Sequence, residues 1–303
     1  MRSISHKDFN WIFIEDAKAD DISFIQKEFD LHPLIIGKLT TPLYRPQFSD
    51  HKDYIFLVMH YPIFAENGSF LEVGEIDVLA NEKFLITVCS HKDSHLGHFF
   101  EQCQRSIEGS KKYFQRGPLF LILIIVAQIL NNYYTFLDRL AKETERIENN
   151  IFNGKESRIL REISYLQRDI LDVRRVIKPQ LSVFRSFFEK EGIANNEFLK
   201  VYAQEIVSTN VQIWNNLENY WETANALHGT NNTLLSYKLN RVIYILTAFS
   251  VCFLPVNLIA FIFGMNAANF PPVFHKIQVI LSMMAGVMLI TALFLVILMK
   301  RGR

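Results

Sequence analysis

The stretch VIYILTAFSVCFLPVNLIAFIF, residues 242–263, decides the fold of this 303-residue chain. It contains no charged side chain, and about 20 apolar residues in a helix span the hydrocarbon core of a bilayer. The stretch from Ile277 to Met299 has the same character over 23 residues. We therefore predict two transmembrane helices at the carboxyl end of the chain, at 242–263 and 277–299.

The charges around these two spans predict their orientation. Only 13 residues, Gly264 to Lys276, connect the spans, so both outer ends lie on one side of the membrane. Lys238 and Arg241 precede the first span and a basic tail, residues 300–303, follows the second, whereas the loop has Lys276 as its single Lys or Arg. The positive-inside rule predicts a multi-pass protein of the cell (inner, cytoplasmic) membrane with both termini in the cytoplasm.

The charge balance separates this end from the rest of the chain. Residues 1–241 hold 28 basic and all 31 acidic side chains, a net charge of −3. Such a surface does not indicate a nucleic-acid partner. The three cysteines, Cys89, Cys103 and Cys252, have no CxxC spacing, so we expect neither a disulfide nor a structural zinc site.

The preceding part of the chain changes character near residue 115. Up to that point, runs of apolar and β-branched residues predict a cytoplasmic α/β domain, residues 1–115, with strands at 10–15, 54–61, 75–79 and 83–88. Residues 80–82 join the last two strands as a hairpin. Beyond it, apolar residues spaced by three and four predict long antiparallel cytoplasmic helices within 116–196 and another helix from Glu197 onward.

A third apolar run, residues 119–130, is a rival membrane segment. Its 12 residues are interrupted by Gln128 and followed by two asparagines. We interpret it as the buried start of a helix, because it is too short to cross a bilayer.

The helix from Glu197 has two interpretations. If it continues unbroken to Phe263, it forms a rod of about 100 Å at 1.5 Å per residue. Residues 229–233, GTNNT, have poor helix propensity and are also compatible with a loop. The residues alone do not decide between the two.

The polar side chains of the first span share one face. At a coiled-coil period of 3.5 residues, four of them fall within about 50° of one another: Asn240, Thr247, Ser250 and Asn257. Polar groups facing lipid are costly, so the stripe predicts self-association around an axis, or else hydrogen bonding to a neighbouring helix. Leu254 and Ile243 share this face and would form apolar rings that can close by dewetting.

The tripeptide Gly264-Met265-Asn266 stands directly after the first span, and Leu239-Asn240-Arg241 and Phe253-Leu254-Pro255 precede it. This arrangement resembles the CorA family of divalent metal ion (magnesium/cobalt) transport proteins. The soluble part resembles the family as well, in the order and spacing of Trp11, His32-Pro33-Leu34, Arg45-Pro46, Asp53 to Leu57, Phe84 to Val88, Leu166, Arg174-Arg175 and Pro179-Gln180. The resemblance covers essentially the whole chain.

The resemblance implies an α+β membrane protein that forms a funnel-shaped homopentamer. A stalk helix, residues 197–241, would continue into the pore-lining first span, which favours a helix through 229–233; the second span would lie outside. The external loop, residues 264–276, would hold the selectivity entrance at Gly264, Met265 and Asn266. The pore lining implied by the family is Asn240, Ile243, Thr247, Ser250, Leu254 and Asn257.

Two departures from the family pattern concern ion choice and regulation. Magnesium-transporting members commonly carry an acidic stretch after the motif, whereas residues 267–272 contain no acid and resemble the ZntB branch. Members that sense magnesium close when ions bridge acidic residues between neighbouring cytoplasmic domains. Glu205, Asp77 and Glu75 are candidates for that role here, the alternative being ordinary solvated carboxylates.

One cluster has the composition of a transition-metal site: His91, Asp93, His95 and His98. These histidines share a helix face only if the helix has begun by His91; otherwise they mark a solvent-facing helix start. No nucleophile–base pairing, phosphate-binding glycine loop or paired-carboxylate motif is present, so we expect no enzyme and no cofactor, the metal ion being cargo.

Three functional hypotheses follow. The first is a pentameric channel or transporter for Mg²⁺, with Co²⁺ and Ni²⁺ as further ions. The second is a ZntB-like Zn²⁺ transporter, with or without proton coupling. The third is a membrane scaffold that retains the fold without transport.

Overall fold

The computed structural model describes residues 1–6, 9–41, 43, 45–64, 71–91, 95–105, 107–152, 156–264 and 277–301. These residues form two compact units, Met1–Gly229 and Thr230–Arg303. The first unit contains a sheet and most of the helices, and the second consists of apolar helix.

A six-stranded sheet forms the centre of the first unit. Its strands are β1 (Arg2–Ser5), β2 (Asn10–Glu15), β3 (Gln47–Asp50), β4 (Ile55–Phe64), β5 (Leu71–Ala80) and β6 (Phe84–Cys89). Their order is β1-β2-β6-β5-β4-β3. Within the described residues, β2 and β6 are the parallel pair and the other neighbours are antiparallel.

The predicted hairpin between β5 and β6 is present, and Asn81 stabilises its turn. Asn81 Oδ1 accepts hydrogen bonds from the backbone N–H groups of Lys83 (2.8 Å) and Phe84 (3.0 Å). Strands β1 and β3 were not predicted. Each has four residues and lies at an edge of the sheet, where it has one partner strand and a weak apolar pattern.

Helices cover both faces of this sheet. Their bounds are α1 (Ala19–Glu28), α2 (Pro33–Thr40), α3 (His95–Arg105), α4 (Ile107–Phe114), α5 (Pro118–Asn150), α6 (Glu156–Phe188), α7 (Glu191–Ala194), α8 (Glu197–Gly264) and α9 (Ile277–Arg301). On one face, Ile25 of α1 and Ile35 of α2 join Phe56 and Ile86 of the sheet in a buried cluster. The α/β class predicted for this part is therefore confirmed.

The other face of the sheet receives α3, α5 and α6. Trp11 of β2 is fully buried, with its ring 4.8 Å from that of Phe100 in α3. The backbone of His60 in β4 accepts a hydrogen bond from Tyr133 Oη of α5 (2.8 Å) and donates one to Gln180 Oε1 of α6 (2.9 Å). These bonds fix the long helices against the sheet.

Within the first unit, α6 runs antiparallel to both α5 and α8. Arg146 near the end of α5 pairs with Glu162 near the start of α6 at 3.6 Å. Arg174 of α6 contacts Glu218 of α8 at 2.6 Å, and Gln167, earlier in α6, reaches Asn225, later in α8, at 2.8 Å.

Three helices of the described residues are long and apolar enough to cross a bilayer, namely α5, α8 and α9. In α5 the apolar residues are buried within the protein, and Leu121, Ile122 and Leu123 have no exposed surface. The run at 119–130 is therefore core, as its length and interruption indicated. The apolar windows of α8 and α9 contain no buried residue.

Helix α8 continues without a break through residues 229–233. The helical interpretation that the family resemblance favoured is thus confirmed. Asn231 has no exposed surface although its residue type favours turns. Packing rather than propensity sets the conformation here, as is usual for helices in proteins.

The second unit exposes an unusually apolar surface. Leu246 is 64% exposed and Leu289 is 71% exposed. Contiguous apolar surface of this kind marks a membrane or protein interface. The two predicted spans, 242–263 and 277–299, lie inside α8 and α9, which confirms the carboxyl-terminal apolar helices.

Asp169 on α6 places a titratable group inside the helical part of the first unit. The residue is 8% exposed, and its Oδ1 has no hydrogen-bond partner among the described residues. Burial raises the pKa of this carboxyl from 3.8 to about 6, although Arg168 opposes the shift. The folded protein therefore retains a proton that the unfolded chain has released, over the range from about pH 4 to about pH 6.

We expect Asp169→Asn to raise the thermal unfolding midpoint by about 2 °C or more at pH 8 and by much less near pH 4. The stability associated with the protonated carboxyl is present below its unfolded pKa and is lost as the pH rises through about 6. Unfolding of the full-length protein in detergent at both pH values measures the difference. The matched control is Asp172→Asn, and an equal shift at both pH values would contradict the titration of Asp169.

Candidate functional site

One exposed face of α8 carries all six residues predicted to line a pathway. These residues are Asn240, Ile243, Thr247, Ser250, Leu254 and Asn257, and each is exposed in the single chain. We call this set the stripe. It consists of two series with steps of seven residues, one starting at Asn240 and one at Ile243, and in a left-handed helical bundle such positions face the axis.

The side of α8 away from the stripe is partly buried. Partly buried residues of α8 recur at spacings of three and four, at Ala248, Cys252, Pro255, Ile259 and Phe263. At 100° per residue, the centre of this set lies nearly opposite the stripe. A corresponding set exists in α9, at Ile280, Met284, Val287, Thr291 and Leu295. The six residues of the stripe are exposed in the single chain, in contrast to this partly buried side.

The stripe contains four oxygen-bearing and two apolar side chains. The Ser250 hydroxyl donates a hydrogen bond to the carbonyl oxygen of Leu246 at 2.9 Å, so the Oγ lone pairs stay available as acceptors. The amide oxygens of Asn240 and Asn257 are acceptors of the same kind. Leu254, 67% exposed, separates Ser250 from Asn257 with an apolar layer. The face can therefore accept hydrogen bonds from the water shell of a cation at several levels.

The predicted entrance begins at Gly264, the last residue of α8. Among the described residues, no atom lies within 4 Å of where a Cβ atom at this position would be. Met265 and Asn266 lie outside the described residues. Their role, like that of Gly264, remains a prediction based on the family resemblance.

Glu75 is held inside the sheet domain. Its Oε2 accepts a hydrogen bond from the backbone N–H of Leu43 at 2.6 Å and lies 3.4 Å from His60 Nε2. His60 Nε2 is in turn 2.6 Å from the carbonyl oxygen of Leu43. The two side chains anchor the connection between α2 and β3. Sequence reasoning missed His60, although the β4–β5 register, which places it opposite Glu75, is the signal that reveals the pair.

Asp77 lies two positions further along the same strand and is 4% exposed. Burial, and secondarily the negative charge of Glu75, raise the pKa of this carboxyl well above its ordinary value. Within the part of the chain that the structure describes, its Oδ1 has no hydrogen-bond partner. Glu75 and Asp77 are both buried in the single chain, and their role between neighbouring chains remains a prediction. Glu205 is exposed on α8, and its regulatory role remains a prediction.

The histidine cluster does not form on one helix face. Helix α3 begins at His95, so His91 precedes it and the spacing of four residues does not bring the two rings together on a helix. Burial and the neighbouring His98 lower the pKa of His95. Asp93 lies outside the described residues. Among those that are described, no group of three or more His, Cys, Asp or Glu residues could hold a metal ion.

The architecture agrees with a known family. The model of the CorA-like Mg²⁺ transporter protein family matches residues 6–301, nearly the whole chain. The chain belongs to the CorA family. Membership makes it a membrane protein of a transporter family rather than of an enzyme family.

Individual CorA relatives and structures support the same fold. The cobalt/magnesium transport protein CorA of Thermotoga maritima is 20% identical over 288 residues, which cover 94% of this chain and 81% of the relative. The complete structure of the CorA magnesium transporter from Methanocaldococcus jannaschii matches with a TM-score of 0.81 at 18% identity, covering 100% of this chain and 94% of the other. The ZntB cytoplasmic domain from Vibrio parahaemolyticus matches with a TM-score of 0.61 at 14% identity, covering 77% of this chain and 90% of the other.

Proposed function

We propose that this chain carries Mg²⁺, with Co²⁺ and Ni²⁺ as further ions, across the cytoplasmic membrane through a pore formed by five copies. Family membership supplies the class of cargo. The single observation that carries the proposed route is the stripe, whose six residues are all exposed on one face of α8.

The chemistry of the stripe suits a hydrated ion. Mg²⁺ prefers oxygen ligands and gives up its water reluctantly. The stripe presents neutral amide and hydroxyl oxygens and no charge. Rings of such oxygens would hold the water shell of the ion by hydrogen bonds, weakly enough to release it. Passage would then depend on geometry rather than on tight binding.

The number of copies follows from the family rather than from one chain. A single copy leaves the stripe uncovered, and lipid is a poor environment for its amides and hydroxyls. Copies arranged around an axis would bring their stripes together, with each α9 on the outside facing lipid. Five copies and a funnel shape are what the CorA resemblance implies. Apart from the bilayer and further copies of the chain, no partner is proposed.

The membrane potential would drive the cation from the outside to the cytoplasm. Basic residues at the outer ends of both spans favour cytoplasmic termini, so the Gly-Met-Asn loop would face outside. A divalent cation moving inward gains about 4.6 kcal/mol for each 100 mV of inside-negative potential. Entry would need no coupled ion.

A second candidate function is ZntB-like Zn²⁺ transport, with or without protons. It is favoured by residues 267–272, which contain no acid where magnesium-transporting relatives commonly have one. The missing negative charge would lower the local concentration of cations at the entrance.

Flux into liposomes tests the proposal. The purified full-length protein is reconstituted with indicators for Mg²⁺, Zn²⁺ and pH inside the vesicles, and protein-free liposomes are the control. Mg²⁺ entry at constant internal pH would support the proposed function. Zn²⁺ entry with internal acidification would favour the second candidate, and no flux of any divalent ion would indicate a non-conducting scaffold.

A further inference from the structure

Phe261 extends the stripe toward the entrance. It follows Leu254 by seven residues and so continues the series Asn240, Thr247, Leu254. Gly264 follows Asn257 by seven residues and ends the other series. Phe261 thus occupies the last axial position before the Gly-Met-Asn motif, about one helical turn before Gly264.

The exposure of Phe261 agrees with this position. Its side chain is 75% exposed, the highest value for a large apolar residue among those described. Phe249 of the same helix provides a contrast, because it lies about 120° away around the helix axis. The Phe249 ring packs on that of Phe253, with centroids 4.4 Å apart. Phe261 therefore continues the line of the stripe, and Phe249 is a comparable aromatic residue on a different side of the same helix.

We propose that the Phe261 rings of the assembled copies form an aromatic constriction directly inside the entrance, which limits the rate of ion passage and discriminates between cations. This inference rests on the proposed function. A hexahydrated Mg²⁺ is about 7 Å across, from a Mg–O distance of about 2.1 Å and a water radius of about 1.4 Å. Benzyl rings offer no hydrogen bonds to that shell, and a narrow apolar ring excludes water.

The constriction distinguishes cations by how readily they lose water molecules from their hydration shells. Mg²⁺ sheds its shell reluctantly and demands octahedral coordination. Zn²⁺ accepts four ligands as well as more. A narrow apolar ring therefore slows Mg²⁺ more than Zn²⁺. Removal of the rings should increase Mg²⁺ flux by a larger factor than Zn²⁺ flux.

A size series at position 261 tests the inference. The variants Phe261→Ala, Phe261→Leu and Phe261→Trp are reconstituted with wild type, and initial rates of Mg²⁺ and Zn²⁺ entry are measured. We expect Phe261→Ala to raise Mg²⁺ entry several-fold, Phe261→Leu to raise it less, and Phe261→Trp to reduce it below wild type. The matched control, Phe249→Ala, is expected to conduct like wild type. Gel filtration in detergent establishes that each variant assembles.

The outcomes separate the constriction from the pore itself. If wild type conducts and the variants conduct equally, the constriction is refuted while the proposed function stands. Loss of flux in both Phe261→Ala and Phe261→Trp, with assembly intact, also refutes the constriction. A purely structural role of Phe261 would lower the flux of both variants, whereas a constriction changes their fluxes in opposite directions. If Phe261→Ala fails to assemble, the Mg²⁺ entry rates of the other proteins test the inference. Rates that fall in the order Phe261→Leu, wild type, Phe261→Trp support it, and any other order refutes it. A non-conducting wild type refutes the proposed function, and the inference with it.

Discussion

Asn266→Ala is expected to reduce divalent cation uptake to the level of protein-free liposomes while the oligomer remains assembled. The family resemblance implies that the Asn266 amide would receive the hydrated ion at the pore entrance. Alanine offers no acceptor for the ion's water molecules, so the first binding step on the pathway would be lost. Initial rates of Mg²⁺ and Zn²⁺ entry into liposomes, together with gel filtration, measure the effect.

Asn269→Ala is the matched control for this change. It removes the same amide three residues later in the same connecting loop but outside the tripeptide. We expect it to retain most of the wild-type flux. Undiminished transport by Asn266→Ala would show that the entrance has been assigned to the wrong residue, whichever ion the protein carries.

Leu254→Gly is expected to give a pore that leaks in its resting state. Leu254 forms the apolar layer between Ser250 and Asn257, and it is 67% exposed on the stripe. A ring of such side chains can close a pore by excluding water, and glycine leaves a gap that water can fill. Resting conductance in planar bilayers, compared with wild type under identical ionic conditions, measures the leak.

Ile245→Gly is the control for the leak. Ile245 is 59% exposed and lies about half a turn away from Leu254 around the helix axis. Glycine lowers helix stability by about 1 kcal/mol at either position, so a general weakening of α8 should affect both variants. Equal resting conductance in the two variants, or none in either, would count against Leu254 as a gate.

The long helices could be predicted because their signals are local. Charge-free runs and repeats of three and four residues identified α5, α8 and α9, and the run Asn10–Glu15 matches β2. Strands β1 and β3 have four residues each at the sheet edges and carry little pattern of their own. Residues 229–233 were undecided for a different reason, since tertiary packing overrides weak propensity there.

The candidate site likewise contains features that the sequence could predict and features that it could not. The stripe belongs to a single helix, so a period of 3.5 residues was enough to find it. The surroundings of Glu75 and Asp77 depend on strand register and on the α2–β3 connection, which brings Leu43 to the carboxylate of Glu75. The histidine cluster depended on where α3 begins, and that start lies at His95. Contacts between distant segments leave no periodic signal in a sequence.

Block of transport by Cd²⁺ tests most directly whether the stripe lines the ion pathway. In a chain whose native cysteines, Cys89, Cys103 and Cys252, are replaced by alanine, Ser250→Cys would place thiols on the pathway, where thiolates bind soft metal ions strongly. Phe249→Cys places the thiol one residue earlier, about 100° around the helix from Ser250 and on the side away from Thr247 and Leu254. We expect micromolar Cd²⁺ to stop Mg²⁺ flux through Ser250→Cys and to leave Phe249→Cys unaffected. Equal sensitivity of the two variants, or block of Phe249→Cys alone, would contradict the pathway.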